Sequence, residues 1–464
     1  MNNKQHTIAK EVSISGVGLH TGVEAKLTFV PAPTNHGIKF QRIDLEGEPI
    51  ANADVDNVVD TSRGTTIEEN GARINTVEHV MAALVGLEID NILIKIDGPE
   101  PPIMDGSSIQ FINILKSAGL VEQEAHRKFF DIIEEVRYKD MDSGAEIAAL
   151  PLNDYRIAVM VDYNSPYLSS QHANLTSVSQ FEKEFSMCRT FCFVHEIENL
   201  HKAGLIKGGD LNNAIVIANK EYSEEELHNI SNLVGKPNVK ITKDSGILNN
   251  TELHFKNEMA RHKLLDLMGD LALVGRPIRG QILASRPGHA ANVELAKKIK
   301  KQIQESEKNK IPVYDPNQEP ICTFERIYEL LPHRYPFQMI DKIIYLDDSA
   351  VVGIKNVTMN ENYFTGHFPN NPVMPGVMQV EAMAQTGGIL VLSSVDDPEN
   401  YWPYLVGIEN CRFRRSVLPG DTVIFRCELL APIRRGIAKM SGKAYVGDKI
   451  VCEAEMTASL VRKS

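Results

Sequence analysis

In the stretch ARHKLLDLMGDL (260–271), His262, Asp266 and Asp270 follow one another at intervals of four. On a helix that spacing puts all three on one face. Their neighbours are Leu264, Leu265, Leu267, Met268, Leu271 and Leu273. A helix this apolar is buried, so its polar stripe faces a cavity or a partner charge rather than bulk water. A solvent-facing stripe would suit an average helix better than this one. His262 and Asp266 can together hold one metal ion. A catalytic zinc takes three protein ligands and keeps one position open, so a third ligand must come from elsewhere. TVEHVMAAL offers Glu78 and His79 at a helix start. Either can bind metal while its neighbour turns toward the attacking water, where a carboxylate would be the general base. His289, in SRPGHAAN (285–292), follows a Pro-Gly turn. It is expected on a loop that reaches into a cleft.

A second constellation lies in GHFPNNPVMPGVMQVEAMAQTGG (366–388). Pro375 and Gly376 open an apolar helix that carries one carboxylate, Glu381, and His367 sits in the Pro-rich loop before it. A helix N-terminus offers free N–H groups to a carbonyl oxygen. A histidine base, a protonatable carboxyl and a backbone oxyanion holder suit proton abstraction next to a thioester. Glu381 reaching solvent is the plainer alternative.

Two other patterns carry no chemistry. SGVGLHTG (15–22) has glycine spacing G-x-G-x-x-x-G and precedes a strand. Dinucleotide binding needs a helix N-terminus at that point, so a tight hairpin or loop is expected, with His20 free to line a site. Cys188 and Cys192 in CRTFC have no second pair nearby to complete a zinc site.

The elements that must position these residues follow from periodicity. Residues 23–32 alternate Val23, Ala25, Leu27 and Phe29 against Glu24, Lys26 and Thr28, which is a strand. Residues 76–87 and 112–120 read as helices. A second round begins with strands at 129–138, 146–151 and 155–163, and ends in the long helix 257–274. Two rounds of strands followed by helices predict two similar α+β units, 1–125 and 126–296. Residues 293–320 begin as a charged helix with a thin apolar seam and end with Pro312, Pro316 and Pro320. A linker is expected over 297–320, and a further domain over 321–464.

The chain has 464 residues, is 43% hydrophobic and carries a net charge of −12. From residue 321 on, 15 basic residues nearly balance 16 acidic ones, so the acidic excess precedes the linker. That balance argues against nucleic acid as a partner. The start, MNNKQHTIAKEVSISG, lacks the apolar core of a signal peptide, and no run of about 18 apolar residues is present to span a bilayer. Six cysteines without framework spacing fit a reducing cytoplasm.

SGVGLHTG, NTVEHVMAAL, PPIMDGSS, CRTF, GGDLNNAIV, RHKLLDLMGDL and GHAAN occur in that order. Together they resemble the zinc-dependent UDP-3-O-(3-hydroxyacyl)-N-acetylglucosamine deacetylases of lipid A biosynthesis, over roughly residues 3–296. The resemblance implies a fold of two similar α/β sandwich units. It implies zinc ligands at His79, His262 and Asp266, and a general base at Glu78. His289 is implied to stabilise the oxyanion or protonate the leaving amine, and Asp270 to orient it. Thr190 and Phe191 are implied beside the metal, and Lys263 in substrate binding. An acyl-chain passage is implied near 193–211. Residues 219–255 look longer than the family's usual connection, and a surface decoration is expected there.

The 366–388 segment, with LPHRYPFQMID (331–341), ENCRFRRSVLPGDTV (409–423) and VCEAEMTASLV (451–461), is similar to the 3-hydroxyacyl-[acyl-carrier-protein] dehydratases of fatty-acid synthesis. This resemblance implies a hot-dog fold, in which an antiparallel sheet wraps one long helix. It implies His367 and Glu381 as the catalytic pair and the Gly376 N–H as the group that polarises the thioester carbonyl. Each site then draws its His and Glu from two subunits, which implies a homodimer or a trimer of dimers. The implied substrate rides on acidic acyl carrier protein. Arg412, Arg414, Arg415, Arg434 and Arg435 are candidates for its dock, or are merely solvating. Together the two resemblances imply an α+β bifunctional enzyme.

Overall fold

The computed structural model describes residues 3–163, 165–197, 206–210, 213–233, 240–241, 246–248, 252–308 and 311–463. The chain forms two compact units, Met1–Glu307 and Lys308–Ser464.

The first unit is built twice. In its first half a five-stranded sheet has the order Val12–Val17, Glu24–Pro31, Ile92–Ile96, Ile38–Arg42 and Ile50–Asn52. In the second half the order is Val136–Lys139, Glu146–Leu150, Ile278–Ser285, Tyr155–Val161 and Gln171–Leu175. Numbered along each half, both sheets read 1-2-5-3-4. Strands 5 and 3 are parallel in both, and every other neighbouring pair among these five strands is antiparallel. The helices correspond as well. Glu78–Gly86 precedes the central strand of the first sheet, and Glu258–Ala272 precedes that of the second. Ile109–Ser117 and His289–Lys308 follow them. This repeat of topology bears out two similar units where identity between the halves is too low to reveal one.

The local reasons are plain. Strand Glu24–Pro31 buries Ala25, Leu27 and Phe29, the period-2 face of a half-covered sheet. Helix Glu258–Ala272 contains no proline and buries residues on every side, so it lies at the centre of one core shared by both halves. Its single glycine is where the two central helices meet. A Cβ at Gly269 would lie 2.1 Å from the Glu78 carbonyl oxygen, so only glycine lets the start of helix Glu78–Gly86 come this close.

Two expectations need correction. Residues 129–138 are not one strand. Phe130–Asp131 pairs in parallel with Ile278–Ser285, whereas Val136–Lys139 pairs antiparallel with Glu146–Leu150. The segment changes partner at 132–135 and cannot stay straight. Nor do residues 297–308 belong to a connection. Helix His289–Lys308 runs through them, and its thin seam, Ile299 and Ile303, is buried in the first unit's core. A narrow stripe suffices because only one side of the helix touches the sheet. The segment 15–22 is the expected hairpin: Gly18 N–H donates to Val23 C=O at 2.9 Å, and strands flank it. Of the 219–255 segment, helix Glu224–Leu233 is described, while 234–239, 242–245 and 249–251 lie outside the described residues. So do 198–205 and 211 of the expected acyl passage.

In the second unit six antiparallel strands follow the order Lys342–Leu346, Ala350–Asn356, Thr422–Leu429, Ile437–Val446, Lys449–Arg462 and Tyr401–Phe413. Helix Gly376–Leu392 lies against the sheet, and its Val380, Ala382, Met383, Ile389 and Leu390 join the sheet's buried face in one core. This is the expected long helix packed against an antiparallel sheet.

Candidate active sites

Helix Glu258–Ala272 carries the polar stripe into a cavity of about 370 Å³ in the first unit. His262, Asp266 and Asp270 are all buried. The start of helix Glu78–Gly86, held over Gly269, brings His79 to the same place. His262 Nε2 is 3.2 Å and His79 Nε2 is 3.6 Å from Asp266 Oδ1. One ligand atom from each of the three lies within 4.8 Å of the others. His262 Nδ1 is 3.0 Å from the Cys188 carbonyl. It donates there, so Nε2 turns its lone pair to the cluster. Asp266 Oδ1 is buried and accepts no hydrogen bond among the described residues. A buried carboxylate oxygen facing two imidazole nitrogens suits a cation, and the donor set leaves room for further ligands. Burial pushes the His262 imidazole down to about 4 despite Asp266, so it stays neutral, as a ligand must. Burial opposes the charge on Asp266, but His262 and Lys263 hold its carboxyl well below the usual range. Lys263 Nζ donates to Asp266 Oδ2 at 3.0 Å and lies 5.6 Å from the centre of the Phe191 ring.

Beside this cluster stands a second one. Glu78 Oε2 accepts from the Thr65 N–H at 2.9 Å, and Glu78 Oε1 is 3.9 Å from His289 Nε2. Burial raises the Glu78 pKa. Asp270 Oδ1 accepts from Thr65 Oγ1 at 2.5 Å, and Asp270 Oδ2 from Asn292 Nδ2 at 2.8 Å and His289 Nδ1 at 3.0 Å. Burial works against charging His289, but the Asp270 and Glu78 carboxylates outweigh it and raise the imidazole to about 9. Glu78, Asp270 and His289 also crowd within 4.8 Å. Here, however, protein donors already serve both oxygens of Asp270 and one of Glu78, an arrangement that suits handling protons. At 78–79 the two side chains part: His79 faces His262 and Asp266, and Glu78 faces His289.

The CRTF segment is clamped onto the long helix. Glu258 is fully buried and accepts from the Arg189 N–H at 3.1 Å, Arg189 Nε at 2.9 Å and the His254 N–H at 2.7 Å. Thr190 next to it donates its N–H to Gly106 C=O at 2.7 Å. Thr190, Phe191, Lys263 and His289 line the cavity, and so does His20, whose ring nitrogens have no hydrogen-bond partner among the described residues. Sequence reasoning missed Thr65, Asn292 and the Arg189–Glu258 pair. Asn292 lies three residues after His289, on one face of the same helix, and that spacing was a usable signal. Thr65 reaches the site only through the hairpin of strands Val58–Asp60 and Thr66–Glu69, and nothing local marks it.

In the second unit Glu381 lines a smaller cavity, of about 190 Å³, with His333, Phe337, Gln385 and Tyr404. Glu381 Oε1 accepts from Gln385 Nε2 at 2.7 Å. His367 Nδ1 is 2.7 Å from the Val373 carbonyl and donates to it, so Nε2 is the ring nitrogen left without that bond. The Gly376 position is crowded by the Phe413 ring, which a Cβ would meet at 2.7 Å. Within one chain the structure does not bring His367 to Glu381: no bond joins them among the described residues, and His367 does not line the Glu381 cavity.

Comparison with known proteins supplies the family of each unit. The family of LpxC UDP-3-O-acyl N-acetylglycosamine deacetylases matches residues 5–234 and 233–301, and the FabA-like domain family matches 331–455. A bifunctional enzyme LpxC/FabZ of Bacteroides thetaiotaomicron is 50% identical over 459 residues, 99% of each chain. That of Chlorobaculum tepidum is 46% identical over 462 residues, again 99% of each. A UDP-3-O-acyl-N-acetylglucosamine deacetylase of Anaeromyxobacter is 41% identical over 296 residues, 64% of this chain and 88% of its own. The chain therefore belongs to the family of bifunctional LpxC/FabZ enzymes, an LpxC deacetylase followed by a FabA-like dehydratase.

Proposed function

We propose that the first unit hydrolyses the acetamide of UDP-3-O-(3-hydroxyacyl)-N-acetylglucosamine with one zinc ion held by His79, His262 and Asp266. The buried, unpartnered Asp266 Oδ1 facing two imidazole nitrogens is the observation that carries this reading. Bound zinc supplies a Lewis acid that acidifies water and polarises the carbonyl. Glu78, with its pKa raised by burial, takes the proton of the attacking water. His289, kept cationic by Asp270 and Glu78, faces the developing oxyanion together with the Thr190 hydroxyl. A proton from His289 or Glu78 lets the amine depart. Lys263 and Phe191 orient the substrate from the cavity wall. Metal analysis tests the ligand set: His262→Ala should lose about one equivalent of zinc and all deacetylation, whereas Glu78→Gln should keep the zinc and lose the activity. Full zinc in His262→Ala would reject the assignment.

The second unit dehydrates 3-hydroxyacyl-acyl-carrier protein to the trans-2-enoyl product. His367 removes the proton next to the thioester, Glu381 protonates the departing hydroxyl, and the Gly376 N–H, which makes no hydrogen bond among the described residues, holds the thioester oxygen. The separation of His367 from Glu381 within one chain supports a site completed by a second copy, in a dimer or a trimer of dimers. Edge strand Tyr401–Phe413 exposes Tyr404, Val406, Ile408 and Phe413, and such an edge is normally covered. Arg412, Arg415, Arg434 and Arg435 are exposed and suit an acidic carrier protein, while Arg414 is paired with Glu453. All six cysteines are free thiols, which supports a cytoplasmic setting. No described helix is long and apolar enough to cross a membrane.

A further inference from the structure

Dehydration leaves the two catalytic groups in the wrong protonation states for another turnover. The base has gained the proton from the carbon next to the thioester. The acid has given its own proton to the hydroxyl, which departs as water. Before the next turnover the base must release one proton and the carboxylate must regain one. Glu381 lines a largely apolar cavity, with its side chain about a fifth exposed, so a neighbouring group that can carry a proton speeds resupply.

One such group is present. His333, in the loop after helix Phe324–Leu330, places Nε2 3.6 Å from Glu381 Oε1. The ring is tilted against Phe337, with centroids 6.0 Å apart, and about a quarter of the side chain is exposed. Its Nδ1 is buried and has no hydrogen-bond partner among the described residues. An imidazole with no structural bond at Nδ1 and a carboxylate near its Nε2 can take up a proton at Nε2 and pass it to that carboxylate. Gln385 fixes the geometry. It donates Nε2 to Glu381 Oε1 at 2.7 Å and to Phe337 C=O at 2.8 Å, and its Oε1 accepts from the Met339 N–H at 2.8 Å. The His333 loop and the Glu381 helix are thus tied together, and the 3.6 Å gap is held from both sides. The charged groups acting on His333 are Glu381 and Arg334, and the rest of the cavity wall is neutral. Burial lowers the His333 pKa, which favours release of the proton to its neighbour.

We infer that His333 is a proton-relay residue of the dehydratase, which returns a proton to Glu381 after each dehydration. After Glu381 has given its proton to the hydroxyl, His333 Nε2–H protonates the carboxylate, and water reaching the partly exposed side chain recharges Nε2. His367 releases the proton it removed, so the cycle balances with water as the sole by-product. His333 touches Glu381 rather than substrate and is not itself a catalytic residue. The inference rests on Glu381 being the acid.

The test uses the full-length protein with His333→Asn and His333→Gln, assayed with 3-hydroxyacyl-acyl-carrier protein in dilute buffer, with added imidazole as the probe. The expected result is a fall in dehydratase kcat of about 10²-fold, an unchanged KM, recovery of most of the rate with imidazole, and full deacetylation as the folding control. An unchanged kcat, or a loss that imidazole does not repair in either variant, overturns the relay. Glu381→Gln separates the two claims. If it retains dehydration, the acid assignment fails and the relay with it. If it is inactive and unrescued while His333→Asn and His333→Gln turn over normally, only the relay fails.

Discussion

Thr65 links two buried carboxylates of the first unit, Glu78 and Asp270. Its N–H serves Glu78 and its hydroxyl serves Asp270. Replacing Thr65 with Val keeps the shape and the N–H but removes the hydroxyl donor from a fully buried carboxylate. Deacetylase kcat should fall about 10-fold with little change in KM, consistent with one lost hydrogen bond to a charged group at about 1.5–3 kcal/mol, and Thr65→Ser should recover most of it. Steady-state kinetics on the three proteins would decide this, and a Val variant with full kcat would remove Thr65 from the site. At this scale the sequence is informative wherever spacing carries geometry. His262, Asp266 and Asp270 were legible because a helix repeats every 3.6 residues. The roles of Glu78 and His79 were not, because adjacent residues point in different directions that only the packing over Gly269 fixes. Thr65 was invisible, since a long-range hairpin delivers it.

Two contacts between elements hold the site open to inspection. Gly269→Ala would put a Cβ 2.1 Å from the Glu78 carbonyl oxygen. The start of helix Glu78–Gly86 must then move, taking His79 and Glu78 with it. Overpacking of this kind costs about 1–3 kcal/mol, and deacetylation should be nearly abolished while dehydration is unchanged. Retained deacetylation would show that the helices can separate harmlessly. Arg189→Ala leaves Glu258 buried without its main cation, which should cost about 3–5 kcal/mol, read as a lower denaturant midpoint for the first unit. Most individual elements follow from periodicity, because half-buried strands alternate and buried helices do not. The 1-2-5-3-4 order repeated in both halves could not be read, since it is set by pairings such as Tyr155 with Gly280 that are distant in sequence. The same distance explains the switch of partners at 132–135 and the burial of Ile299 and Ile303.

At the scale of the molecule, the chain carries two sites built on unrelated chemistry. One gathers metal-type ligands, and the other sets Glu381 in a cavity on a hot-dog scaffold. Metal removal should separate them: a strong chelator followed by dialysis should abolish deacetylation, zinc should restore it, and dehydration should be indifferent throughout. Loss of both activities on chelation would mean that the metal supports the whole fold. The boundary between the two activities was legible from the shift in charge and the prolines after 311, whereas its exact start was hidden by a helix that looks solvated and is half core.

The most direct measurement pairs two assays on three full-length proteins: the unaltered enzyme, His262→Ala and His367→Ala. Each is tested for acetate release from the acylated UDP-sugar and for dehydration of 3-hydroxyacyl-acyl-carrier protein. Two independent sites predict that His262→Ala loses only acetate release and His367→Ala loses only dehydration. An unaltered enzyme that lacks either activity, or a single substitution that removes both, would contradict a chain with two separate working sites.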